Sequence, residues 1–96
     1  MNDQEPATYI LAIDEGNTLI KAGLFQNNQL LTSIAFSPDD PQMLMEVLGD
    51  MPESTIVPTG WIRTGKHKAW EKWLEEGPLS DRIQLRKIHA SDQLPI

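Results

Sequence analysis

The chain contains no cysteine, which excludes disulfides, thiolate metal sites and a cysteine nucleophile. Basic residues are scarce: eight Lys and Arg stand against fourteen Asp and Glu, for a formal net charge of −6. Without a basic stripe to displace counterions, nonspecific nucleic-acid binding is not expected, and Lys66 and Lys68 alone make a weak patch. No apolar run approaches the roughly 20 residues that cross a bilayer. The opening Met1 to Pro6 is polar and acidic, with no basic region ahead of an apolar one, so it does not read as a secretion signal. These absences point to a soluble, cytoplasmic protein with neither nucleic acid nor membrane as partner. The usual zinc spacings are missing as well, and His67 and His89 are expected at the surface.

What is present is an ordinary globular composition, 40% hydrophobic and 23% charged over 96 residues, enough for one modest core. Tyr9–Ile13, Leu19–Phe25 and Leu30–Phe36 are apolar and β-branched runs bounded by turn residues, which predicts a three-stranded meander. Asn27 and Asn28 stand where a tight hairpin needs positive φ. Ser37–Pro41 breaks the sheet, with Asp40 as N-cap and Pro41 as first helical residue. Met43, Leu44, Val47 and Leu48 then share one helical face, and Gly49 supplies a left-handed stop. Thr55–Val57 reads as a short strand ended by Pro58. A second helix over 66–76 turns Ala69, Trp70, Trp73 and Leu74 to one side before Gly77-Pro78, with Trp61, Trp70 and Trp73 read chiefly as core and secondarily as a subunit contact. Arg82–Ala90 reads as an edge or half-exposed strand, and Ser80-Asp81-Arg82 as the loop leading into it. The predicted order is βββαβαβ, an α/β fold with a mixed sheet.

The chemically informative stretch is Ile13-Asp14-Glu15-Gly16-Asn17-Thr18-Leu19-Ile20-Lys21. A carboxylate at the end of a buried strand can hold hydrated Mg²⁺, Gly16 permits a close backbone turn, and Asn17, Thr18 and Lys21 can bind or neutralise phosphate oxygens. Neither Thr18 nor Lys21 is needed to make a turn, so the pattern favours a phosphate site over a plain connection. A rival pattern, Gly60-x4-Gly65-Lys66, has Walker A spacing. His67 stands where Mg²⁺ would want a hydroxyl, and Trp61 and Ile62 are too bulky for a phosphate loop.

These residues match the motif Asp-x-Gly-Asn-Thr-x-x-Lys, and the chain from about Thr8 to Ile96 resembles the N-terminal domain of type III pantothenate kinases, of the actin-like superfamily of sugar kinases and ATPases. The resemblance implies a ribonuclease-H-like domain over 8–96, preceded by a flexible 1–7. It implies ATP-dependent phosphorylation of pantothenate at the start of coenzyme A synthesis, with ATP, Mg²⁺ and a monovalent cation (K⁺ or NH₄⁺) as cofactors. Asp14 would organise the metal, while Gly16, Asn17, Thr18 and Lys21 would contact the phosphates; a homodimer is implied too. Glu15 departs from the family pattern, and beside a triphosphate it would repel unless its side chain points away. The family's catalytic aspartate lies in a Gly-x-Asp-Arg motif that does not occur here, and the adenosine-binding glycines of the second domain are missing. The expectation is an N-terminal piece lacking the C-terminal kinase domain and inactive alone, with a noncatalytic binding or regulatory domain as the alternative.

Overall fold

The computed structural model describes residues 8–49, 51 and 55–88. Strands β1 (Tyr9–Glu15), β2 (Ile20–Gln26) and β3 (Gln29–Phe36) come first. A 3-10 turn at Pro41–Met43 runs into the single-turn helix α1 (Leu44–Val47), followed by β4 (Val57–Arg63), α2 (Lys68–Glu76) and β5 (Ile83–Ile88). The predicted element order is therefore the observed one. The sheet runs β3-β2-β1-β4-β5, antiparallel through the meander and parallel from β1 to β4 to β5.

The meander follows from local chemistry. Asn27 and Asn28 have φ of 51° and 70°. That left-handed pair matches the twist of the strands it joins, and asparagine tolerates it better than most residues. Asn27 also anchors the start of β1: its amide donates to the Thr8 carbonyl (2.9 Å) and its Oδ1 accepts from the Thr8 amide (3.1 Å).

Alternation along the strands sorts the side chains between two faces. Leu11 and Ile13 of β1, Ile20, Ala22 and Leu24 of β2, and Val57 and Trp61 of β4 join Leu44, Val47 and Leu48 of the α1 region and Trp70 and Leu74 of α2 in one core cluster. Trp70 is its centre, meeting Phe36 edge-on at 5.5 Å and stacking on Trp73 at 5.9 Å between ring centroids. Trp61 and Trp70 are buried and Trp73 is half-buried against the cluster, so the tryptophans serve the core. Met43 packs on this core, whereas Met45 is 43% exposed.

Three local expectations are corrected. Asp40 makes no side-chain cap, because Pro41 opens a 3-10 turn in which the Met43 amide bonds to the Asp40 main-chain carbonyl (3.1 Å). Gly49 is not left-handed, and the helix before it is a single turn closed by the Leu48 and Gly49 amides on Met45 and Glu46. Pro58 does not end a strand but lies near the start of β4, opposite Gln84 of β5. Successive N–H groups of a strand point to opposite sides, and the Val57 amide bonds toward β5, to the Arg82 carbonyl (2.8 Å). The missing donor of Pro58 thus falls on the β1 side, where pairing begins only at Thr59.

Candidate functional site

The sheet face opposite the helices carries the first part of the site. Asp14, the penultimate residue of β1, and Lys21, the second of β2, are direct partners in the antiparallel register, so their side chains share a face. Asp14 is half-buried and Lys21 exposed. Both line a cavity of about 720 Å³ that continues past Gly23 and Ser33 to Phe25 and Leu30. Between them the chain turns through Gly16–Leu19, closed by the Gly16 amide on the Leu19 carbonyl (3.0 Å). A Cβ on Gly16 would lie 2.9 Å from that carbonyl oxygen, so close approach rather than positive φ is what calls for glycine there. Asn17 and Thr18 are exposed at the tip, and no acceptor among the described residues takes their amides. The structure thus brings Asp14 and Lys21 together on one wall and leaves Gly16, Asn17 and Thr18 at the hairpin end, outside that wall's lining.

No group of three or more His, Asp and Glu residues capable of holding a metal occurs among the described residues. A preformed metal cage is therefore not what the residues offer. A single half-buried carboxylate beside an open cavity fits Mg²⁺, which keeps several waters and is commonly held by one or two carboxylates together with the phosphates of its ligand.

The second part of the site was hidden in the sequence. Glu15 falls on the helix-side face with Leu11 and Ile13 and is fully buried. It points away from the Asp14–Lys21 cavity, which removes the repulsion that an acid beside a triphosphate would cause. Its Oε1 accepts from Trp61 Nε1 (3.1 Å) and its Oε2 from the His67 amide (2.9 Å). The same amide reaches Glu71 Oε2 (3.2 Å), and Glu71 Oε1 accepts from Arg63 (2.7 Å), whose guanidinium lies 5.2 Å from the Trp61 ring centre. His67 is consequently not a plain surface residue: it is half-buried, with Nε2 2.8 Å from the Gly16 carbonyl oxygen. His89 lies outside the described residues. The signal that pointed here was the alternation itself, since an acid in the inward position of a buried strand must find donors.

The β4–α2 loop also settles the rival motif. The Thr64 and Gly65 amides both donate to the Glu15 carbonyl (2.9 and 2.8 Å), joined by Thr64 Oγ1 (3.1 Å), and the His67 amide is taken by the two carboxyl groups. The donors that a Walker loop would turn toward phosphate are spent inside the protein.

The Glu15 and Glu71 carboxyl groups both accept from the His67 amide, so the two acids are close enough for each to bear on the other's ionisation. Burial, helped by the Glu71 carboxyl, raises the Glu15 pKa above 4.5, against the pull of the His67 and Trp61 donors. Burial opposes ionisation of Glu71 too, but the neighbouring Glu15 carboxyl, the His67 amide and Arg63 outweigh it and lower its pKa below 4.5. The signs fix a stability profile. The Glu15 contribution is complete below its unfolded value and is lost as pH rises through its raised folded value. The Glu71 contribution is present above its unfolded value and is lost as pH falls through its lowered folded value. Urea midpoints measured against pH should therefore peak where the pair holds one proton. Glu15→Gln should abolish the alkaline decline and keep the acid one; an unchanged alkaline limb in that variant contradicts the assignment.

Neither a scan of protein-family models nor a search of curated proteins matches this chain. Among solved structures, the chain is similar to the PPX-GPPA enzyme of Aquifex aeolicus, with a TM-score of 0.51 and 12% identity over 88% of this chain. The chain spans about a third of that protein's length (36%). At this identity the likeness speaks for the fold alone: an α/β, ribonuclease-H-like domain with a mixed five-stranded sheet.

Proposed function

We propose that the chain carries the phosphate-binding hairpin of an ATP-dependent small-molecule kinase, with type III pantothenate kinase as the specific reading. The observation that carries this is the register of Asp14 against Lys21, which sets an acid and an amine side by side in the lining of one cavity, next to a turn whose Asn17 and Thr18 are exposed. In such a site Lys21 neutralises phosphate oxygens, while the amides and side chains of Asn17 and Thr18 donate to them. Asp14 would hold Mg²⁺ through its waters, and that ion supplies charge stabilisation to the transferring phosphoryl group. K⁺ or NH₄⁺, the choice of pantothenate and a homodimer rest on the resemblance of the motif alone.

The primary hydroxyl of a substrate needs a base, and the Gly-x-Asp-Arg motif that would bring one does not occur in the sequence. Turnover then requires residues from a second domain, whereas phosphate binding does not. Calorimetric titration of the 96-residue chain with MgATP should give saturable binding at or below about millimolar concentration, and a coupled assay with pantothenate should give no turnover. Absence of binding would favour a noncatalytic domain, and robust turnover would refute the need for a second domain.

A further inference from the structure

We propose that Glu15 is a positioning residue for the phosphate turn: it fastens the β4–α2 loop against the carbonyl side of Gly16 and so fixes where Asn17 and Thr18 stand. This rests on the phosphate-binding reading of the hairpin.

The residue immediately before the turn is gripped from both its main chain and its side chain. Its carbonyl accepts from Thr64 N, Gly65 N and Thr64 Oγ1, and its carboxyl group from Trp61 Nε1 and the His67 amide. The loop bound in this way returns to the turn itself, through His67 Nε2 on the Gly16 carbonyl. Gly65 packs so tightly on that same carbonyl that a Cβ could not be accommodated. Within the turn the Gly16 to Leu19 bond is the one main-chain tie among the described residues, and Asn17, Thr18 and Leu19 are all exposed. The tip is therefore held from outside, by the loop that Glu15 anchors.

A residue that only filled space here would be apolar. Burying a carboxyl group costs free energy unless several donors meet it; without this one, Trp61 Nε1 would lose its Glu15 acceptor and the His67 amide would keep only Glu71. The acid thus trades core stability for a defined loop position.

Backbone ¹⁵N order parameters of the ligand-free chain test this without reference to any ligand. At Gly16, Asn17 and Thr18 they should be near the rigid value of about 0.85 in the parent and fall below about 0.6 in Glu15→Met. Glu15→Gln, which keeps one of the two acceptors and turns its –NH₂ toward the other donor, should recover them only in part. Val47→Ala, a core truncation in α1 far along the chain from the loop, should lower the melting temperature and leave them unchanged. Should Glu15→Met fail to fold, His67→Ala removes one tie at a half-buried position and should move the same order parameters down. Unchanged values in whichever of these variants folds, or an equal drop in Val47→Ala, overturns the proposal. In a second arm, MgATP affinity should fall about tenfold in Glu15→Met and recover in part in Glu15→Gln, the size expected for one charge-assisted hydrogen bond misplaced. A parent chain that binds no MgATP would sink the phosphate reading, while the order parameters still decide the positioning role.

Discussion

Gly65→Ala is expected to lower the melting temperature by about 15 °C, corresponding to about 3 kcal/mol for a domain of this size. The new Cβ would overlap the Gly16 carbonyl and stand 3.0 Å from His67 Nε2. Backbone opposes it on one side and a bonded imidazole on the other, so neither can yield as a flexible side chain would. Relief requires the β4–α2 loop to lift from the turn, which stretches the Gly65 bond to Glu15 and the His67 bond to Gly16. Overpacking costs about 1–3 kcal/mol and each weakened hydrogen bond about 1 kcal/mol. Differential scanning calorimetry checks the value, and a melting temperature within about 3 °C of the parent would show that the loop and the turn are not locked together.

Asp14→Asn and Lys21→Ala are expected to weaken MgATP binding by about 10- to 100-fold each, the loss associated with removing a charge-assisted contact to phosphate or to a hydrated metal. Because the two residues face each other in register, their effects should fall short of additive in the double variant. Folding should be almost untouched, since Lys21 is exposed and Asp14 half-buried, and surface pairs contribute little. Calorimetric titrations of the parent, both single variants and the double variant decide the matter. Equal affinities throughout would detach the cavity from nucleotide binding.

The meander, both helices, the edge strand and the asparagine turn were legible in the sequence because each is set by nearby residues: alternation for β1 to β3, two asparagines for the positive-φ turn, and a Trp70/Leu74 stripe for α2. Pro58 misled because a proline is harmful only on the side where its amide is needed, and that side depends on which strand lies next to it. Gly49 misled because a left-handed stop presupposes a longer helix than the one turn of α1. On the site, Asp14 and Lys21 could be paired from the strand–turn–strand layout alone. Glu15 could be suspected of pointing away, but its partners Trp61 and His67, and Arg63 at 3.9 Å from its Oε1, lie 46 to 52 positions later and meet it only because β4 runs parallel to β1. Long-range partners of a buried acid are a product of topology, which no local window contains.

The facing acid and amine have an electrostatic consequence of their own. Their opposite charges offset one another in the cavity lining, so in a chain of net charge −6 a bare polyphosphate finds little local attraction to offset the repulsion of the whole molecule. An anion already complexed by a divalent ion brings compensating charge for the acid and leaves the amine free to engage its oxygens. Metal-loaded nucleotide should then associate faster than the metal-free form, with the gap narrowing as ionic strength rises.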